Sequence, residues 1–356
     1  MNTRKITLLG PEGTNLTLLT IFLMLNFVSW LTLFTLSDGL TFDTQNTVFR
    51  QMTFSIIAII IFFGITYISL EQINKYSYIF FYIVTMLLIL LFATDPKEGV
   101  RRWFDLGLVD FQPSEYIKIA LVLFISKSFT EKYNKIYVGT ISFLATGLVF
   151  FQPDLGTTTL LIAITLSMFL VSDIKTRHLL TLALLGGVGF FGLLEIGLIN
   201  NYQLNRITSF FDSVDFAQSQ SRLAISTGGL TGQFFEVDKI NLIFIPVQST
   251  DFIFSAYAYQ FGFIGVVFLS ALWAFFFYRV GRIILSTQSD FEKFLLAGFS
   301  ASLIFQIFIN ISTVIGIIPV TGMPFPLLSL GGSSIVATAV IFGIINRIFI
   351  ENNVVI

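Results

Sequence analysis

One carboxylate stands where a polar segment meets a long apolar run, at Ser249-Thr250-Asp251-Phe252. An acidic side chain at such a boundary can face water, cap the helix that follows, or take a proton from a reacting hydroxyl. Capping and proton transfer can coexist, because both place the carboxylate at the start of the helix. Asp251 is therefore the first candidate for a catalytic base, with Thr250 beside it as a candidate substrate-binding residue.

Two opposite charges lie inside another apolar run, in residues 112–118. Glu115 and Lys118 are three residues apart, so they share one face of a helix. Charges within a membrane span are costly, and they usually face the bundle interior or a cavity. The pair is equally suited to fixing helix packing as an ion pair and to serving a binding site. Gln112 and Ser114 belong to the same candidate site.

Two further polar groups mark the ends of apolar runs. Arg101, Arg102 and Trp103 suit an anchor at the membrane interface, although guanidinium groups also match phosphate oxygens. The triplet alone favours the anchor. Asp154 follows Gln152-Pro153 with almost no loop, so it is expected to cap the next helix. All four charged or aromatic side chains remain candidate substrate contacts.

The segment before the last apolar run is rich in proline and glycine. Three Pro and three Gly occur in the fourteen residues 319–332, which excludes one regular helix. Irregular backbone at membrane depth is tolerated only where it is buried in protein or lines a cavity. This predicts a re-entrant or interfacial loop, with Ser333 at its end as a candidate substrate contact.

The composition indicates what must position these groups. Hydrophobic residues make up 55% of the 356 residues and charged residues 12%, with 43 Phe and no Cys. A soluble domain carries about a quarter charged residues. These figures exclude a soluble globular enzyme and a cysteine-ligated metal site. The net charge of −1, without basic blocks, argues against nucleic acid as a partner.

The sequence predicts an all-α polytopic membrane protein, a single integral membrane domain over residues 1–356. About 20 apolar residues cross a bilayer as a helix, and such runs are continuous here rather than alternating as in a β-barrel. Ten candidate spans cover residues 16–36, 52–70, 78–92, 113–129, 137–151, 155–171, 179–198, 251–278, 294–314 and 333–349.

The positions of Lys and Arg predict the orientation of the spans. They concentrate in the segments that lie inside when both termini are cytoplasmic. One large extracytoplasmic loop then remains, residues 199–250 between the seventh and eighth spans, with amphipathic stretches at 205–212 and 219–230. Its candidate substrate-binding residues are Arg206, Gln220, Ser221 and Lys239.

Taken in order, these motifs resemble the SEDS family, the RodA, FtsW and SpoVE proteins of bacterial cell-wall synthesis. Each motif alone is weak, but the ordered set is specific and covers nearly the whole chain. The matching segments are 101–103, 111–118, 152–157, 206–212, 220–232, 246–254, Asn310 and 315–334.

The resemblance implies a ten-span peptidoglycan glycosyltransferase in the bacterial cytoplasmic membrane, with its active site facing outside. Such an enzyme adds the disaccharide of lipid II to a growing glycan strand and releases undecaprenyl diphosphate, with Asp251 as its essential acid. It also implies a class B penicillin-binding protein, a transpeptidase, as partner. An α-linked donor and a β-1,4 product imply inversion of the anomeric centre. The short termini favour RodA over FtsW.

Two features of the sequence keep other interpretations open. Tyr259-Gln260 replace the acidic pair that usually precedes the glycine of the eighth span, and Gly232-Gln233-Phe234 stand where many members have Gly-Lys-Gly. These departures suit a non-catalytic scaffold for the penicillin-binding protein, whereas charges inside spans also suit a lipid II flippase.

The group that neutralises the leaving diphosphate is also open. No cofactor is certain, and a divalent cation, Mg²⁺ or Mn²⁺, is an alternative to side chains alone. The candidate side chains are Arg101, Arg102, Lys118, Arg206 and Lys239.

Overall fold

A computed structural model describes residues 15–37, 43, 46–96, 100–105, 107, 110–172, 181, 184, 215–234 and 248–352. These residues form ten α-helices and a short antiparallel hairpin. The helices are α1 Leu16–Leu36, α2 Thr47–Tyr67, α3 Leu70–Leu91, α4 Pro113–Thr130, α5 Lys135–Phe151, α6 Leu155–Val171, α7 Phe216–Gly228, α8 Ile253–Ser286, α9 Asp290–Val314 and α10 Gly332–Glu351; the strands are β1 Phe104–Asp105 and β2 Asp110–Phe111.

Side-chain caps determine where most of these helices begin. Such a cap binds amide groups of the first turn, which have no partner inside the helix. Ser69 and Gln72 form a complete capping box, which starts α3 eight residues before the predicted span at 78. The other capping side chains are Asn15, Asn46, Asn134, Asp154, Asp215 and Ser289.

The all-helical membrane architecture is confirmed. Within the described residues, six helices are long and apolar enough to cross a membrane: α1, α2, α3, α8, α9 and α10. Helices α5 and α6 are apolar but shorter, at 17 residues each. Helix α4 has 18 residues and carries Glu115, Lys118 and Lys127. The predicted span 179–198 lies outside the described residues, apart from 181 and 184.

Helix α4 occupies the centre of the bundle. All but three of its 18 residues are buried, as expected for a helix surrounded by others. Helices α3, α6 and α9 pack around it. At Gly298 of α9, an added Cβ would lie 2.7 Å from the Val122 side chain of α4, so this glycine lets the two helices approach closely. Glu115 and Lys118 of α4 are enclosed by protein, whereas Lys127 near its end is half-buried.

Helix α8 is interrupted at Gly262, where φ is 61° and ψ is −163°. The amides after the break, at Phe263 and Ile264, donate to the carbonyl oxygens of Gly229 and Leu230, at 2.9 and 3.1 Å. These carbonyls belong to residues 228–234, which begin with the last residue of α7. We call this backbone-to-backbone contact the glycine interlock. It docks the described part of the predicted outer loop on α8.

The interlock predicts that Gly232→Ala destabilises the protein. A Cβ at Gly232 would lie 2.0 Å from the carbonyl oxygen of Gln260, and its φ of +80° disfavours any side chain. We expect a loss of about 1–3 kcal/mol, measured by thermal unfolding of the detergent-solubilised protein. Gly281→Ala is the matched control, because nothing lies within 4 Å of that position in α8. Equal melting temperatures for both variants would contradict the proposed role of the interlock.

Candidate active site

Asp251 lies half-buried in the turn of residues 248–252 that precedes α8. Three consecutive carbonyl oxygens of this turn, those of residues 249–251, each accept a hydrogen bond from elsewhere in the chain. The donors are, in order, the Leu330 amide, the Ser329 hydroxyl and the Asn310 side-chain amide, at 2.8, 2.6 and 2.9 Å. The main chain that carries the candidate base is therefore fixed by other segments.

The charged pair of α4 forms a buried ion pair. Lys118 Nζ lies 2.8 Å from Glu115 Oε2, and the two side chains are only 2% and 3% exposed. Lys118 also donates to Gln306 Oε1 of α9 at 3.0 Å. The ammonium group is thus held on two sides by protein acceptors, which offsets the cost of removing it from water.

Two amide side chains of α9 connect this ion pair to the turn of Asp251. Gln306 Nε2 donates to the Pro324 carbonyl at 2.9 Å, and Asn310 Nδ2 donates to the Met323 carbonyl at 2.7 Å. Both acceptors belong to residues 315–331, the segment between α9 and α10. This segment has no regular helix, as predicted. It is the common partner of the ion pair and of the turn.

A second polar network joins five of the predicted substrate-binding residues. Trp103 Nε1 donates to Gln112 Oε1 at 3.2 Å, while the main-chain amide of Gln112 donates to Ser333 Oγ at 3.1 Å. Gln112 Nε2 donates to Ser114 Oγ at 3.0 Å, and Ser114 Oγ donates to Asp154 Oδ2 at 3.4 Å. Asp154 also accepts from the Thr157 amide, so the predicted helix cap is present.

The two networks meet at the first turn of α6. A Cβ at Gly156 would lie 2.8 Å from the carbonyl oxygen of Thr321. The segment 315–331 therefore packs directly on the helix end that Asp154 caps. The candidate residues of α4, of α6 and of the Asp251 turn consequently border one region of the protein.

The arginine pair is divided between two environments. Arg101 is exposed, whereas Arg102 is 9% exposed. Arg102 donates to the carbonyl oxygens of Gln152, at 3.1 Å from Nε, and of Pro153. Its guanidinium is therefore bound to the backbone before α6 and is not left exposed. Trp103 is half-buried and is held by Gln112, as described above.

The outer-loop candidates are only partly described. Ser221 of α7 is buried, and its hydroxyl donates to the Val314 carbonyl at 2.8 Å, which fastens α7 to the end of α9. Gln220 is half-buried on the same helix. Arg206 and Lys239 lie outside the described residues.

The described residues contain no group of three His, Cys, Asp or Glu side chains that could hold a metal ion. The two acidic groups buried near the site are already engaged, Glu115 by Lys118 and Asp154 by the first turn of α6. Within the part of the chain that the structure describes, the acidic residues do not form a protein-ligated site for a divalent cation, and the proposed mechanism uses none.

The family model described as "Cell cycle protein", which covers FtsW, RodA and SpoVE, matches residues 14–354. The chain belongs to this FtsW/RodA/SpoVE family. It is 32% identical over 303 residues to a probable peptidoglycan glycosyltransferase FtsW of Haemophilus influenzae, covering 80% of this chain and 76% of that relative. It is 33% identical over 284 residues to the peptidoglycan glycosyltransferase MrdB of Escherichia coli, covering 75% and 76%.

Two solved structures share the fold of this chain. A chain of a peptidoglycan synthase complex superposes with a TM-score of 0.78 at 24% identity, covering 96% of this chain and 98% of that chain. RodA of Thermus thermophilus superposes with a TM-score of 0.72 at 23% identity, covering 96% and 98%. Relatives named FtsW and MrdB match at similar identities, so the preference for RodA stays a prediction.

The two departures from the FtsW/RodA/SpoVE pattern lie against each other. The Gln233 amide donates to the Tyr259 carbonyl at 3.0 Å, within the glycine interlock. The rings of Phe234 and Phe261 stack with centroids 5.3 Å apart. Gln260 is fully buried and donates to the Thr32 carbonyl of α1 at 3.0 Å. The departures therefore form one uncharged contact between residues 233–234 and α8.

Sequence reasoning missed Gln306. A signal was available, because Gln306 and Asn310 are amides four residues apart in an otherwise apolar run, which places both on one face of a helix. Amide side chains inside a membrane span usually bind a polar partner. Their partners were not predictable, because both bind backbone carbonyls of the irregular segment.

Proposed function

We propose that this chain is a peptidoglycan glycosyltransferase that polymerises lipid II into glycan strands and releases undecaprenyl diphosphate. Family membership and the names of the relatives support this activity. The observation that carries the proposal for the site is the Asp251 turn, whose three carbonyls are held by α9 and the segment before α10. A base held in this way is pre-organised for transfer of a proton.

The proposed mechanism is a single inverting displacement. Asp251 accepts the proton of the GlcNAc 4-hydroxyl of the acceptor, and that oxygen attacks the anomeric carbon of the lipid-linked donor. The bond from that carbon to the diphosphate oxygen breaks, and its electron pair leaves with undecaprenyl diphosphate. The logic is that of an inverting glycosidase in which a sugar hydroxyl replaces water.

The leaving diphosphate needs positive charge, because negative charge develops on its oxygen. Lys118 is an unsuitable direct ligand in this conformation, since Glu115 and Gln306 already bind its Nζ and it is 2% exposed. We assign Lys118 to holding the site together. The candidates that remain for neutralising the diphosphate are the exposed Arg101 and, in the outer loop, Arg206 and Lys239.

We further propose a class B penicillin-binding protein as partner and the bacterial cytoplasmic membrane as location. The solved synthase complex, in which polymerization and crosslinking are coordinated, supports such a pairing. The distribution of Lys and Arg supports cytoplasmic termini and an active site that faces outside.

The deciding experiment is polymerisation of lipid II by the purified protein in detergent, with and without a class B penicillin-binding protein. That partner has no glycosyltransferase activity of its own. Glycan strands in the reaction support the proposal. A flippase yields no product in this assay, because no membrane separates it from its substrate. A complex that assembles but makes no strands would favour the scaffold.

A further inference from the structure

We infer that Gln306 and Asn310 are positioning residues, which set the main chain of the Asp251 turn from one face of α9. This inference deepens the proposed function and rests on it. Both side chains are 1% exposed and lie one helical turn apart. Each donates its amide hydrogens to backbone carbonyls outside α9.

Asn310 acts directly on the turn. Its Nδ2 donates to the carbonyl of Asp251 itself and to the carbonyl of Met323, at 2.9 and 2.7 Å. The side chain thus joins two segments that are otherwise far apart in sequence. The carbonyl group and the side chain of Asp251 are bonded to the same Cα atom. A shift of that peptide group therefore moves the carboxylate as well.

Gln306 extends the same contact to the buried charges. It accepts from Lys118 through Oε1 and donates to Pro324 through Nε2, so a change at the ion pair reaches the residue next to Met323. The path from Glu115 to Asp251 is therefore a continuous chain of hydrogen bonds and one peptide link. Substitution of a residue in this chain of hydrogen bonds is expected to alter the rate of catalysis, although the residue itself does not contact the substrate.

Asn26 shows what a purely structural asparagine looks like in this protein. It is also 1% exposed, and its Nδ2 donates to a carbonyl at 2.8 Å, that of Phe22 in its own helix α1. In both Asn26 and Asn310, Oδ1 has no hydrogen-bond partner among the described residues. The two side chains differ in what they hold, and Asn26 is the matched control.

The test combines kinetics with hydrogen exchange. Asn310→Ala and Gln306→Leu are each compared with Asn26→Ala and the wild type. We expect kcat for lipid II polymerisation to fall about tenfold to a hundredfold in the α9 variants, with KM within about twofold. Amide exchange in residues 251–256 should increase in these variants, while exchange in α2, which does not pack on α9, stays unchanged. Asn26→Ala should leave both readouts unchanged.

Each arm can overturn the inference. Unchanged exchange at 251–256 in both α9 variants excludes positioning, and this measurement needs no substrate. Wild-type kcat in both α9 variants also excludes it, while polymer formation keeps the proposed function intact. Equal losses in Asn26→Ala and Asn310→Ala would reduce Asn310 to a packing residue. An inactive wild type would instead overturn the proposed function.

Discussion

Asp251→Asn is expected to abolish glycan polymerisation while the protein still folds and inserts. An amide of the same shape cannot accept the proton of the attacking hydroxyl, and loss of a general base costs about 100-fold to 10,000-fold in rate. The fold should survive because the turn is held through its main-chain carbonyls, which the substitution leaves in place. The measurement is the rate of strand formation from lipid II, alongside the melting temperature.

Asp215→Asn is the matched control for this change. Asp215 also precedes a helix on the same predicted side of the membrane, and its carboxylate caps α7 through the Gln218 amide. Asparagine caps as well as aspartate, so activity should be retained. Full activity in Asp251→Asn would show that Asp251 is not the base.

Breaking the buried ion pair should give the second largest effect. Lys118→Met leaves the Glu115 carboxylate unpaired at 3% exposure, and Glu115→Gln leaves the Lys118 ammonium without its counter-charge. Either single change is expected to lower the free energy of unfolding by about 3–5 kcal/mol. The double variant should recover much of this loss, since no buried charge then remains. Denaturant unfolding in detergent measures all three.

The exposed pair Lys293–Asp290 is the control for this cycle. It has the same three-residue spacing on a helix, but the side chains are 40% and 73% exposed and the charged atoms are 3.9 Å apart. Lys293→Met should change stability little, because water screens exposed pairs. If Lys118→Met is equally mild, the ion pair does not hold the site together. The polymerisation rate of the double variant, Lys118→Met with Glu115→Gln, separates stability from catalysis. If Lys118 acts by holding Gln306, this variant should have low activity even though its stability is restored.

Helix positions that depend on local sequence were predicted well. The predicted spans 16–36 and 155–171 coincide with α1 and α6, and the predicted start at Pro113 coincides with that of α4. In each case the helix begins at a capping side chain or a proline, and these signals lie in the segment itself. The irregular segment 315–331 was predictable for the same reason, from its prolines and glycines.

Features that depend on distant contacts were not predictable. The break at Gly262 exists because the glycine interlock supplies partners for the amides that follow it. Helix α8 continues to Ser286, beyond the predicted end at 278, because Arg279 and Arg282 end the apolar run without ending the helix. In the candidate site, Asp251 and the ion pair were identified from residue type. Of the two α9 amides between them, Asn310 was noted only as part of the family resemblance, and Gln306 was not predicted.

The glycine interlock constrains how this protein can be recombined. The amides of Phe263 and Ile264 depend on carbonyls of the outer segment, and a backbone amide without a partner is costly in hydrocarbon. A chimera that exchanges only the outer loop of two relatives would place residues 228–234 of one relative against residues 258–264 of the other. The two stretches must be transferred together, as one module that is discontinuous in sequence. Gln233 and Tyr259, which both depart from the family pattern, contact each other inside this module through the Gln233 amide and the Tyr259 carbonyl.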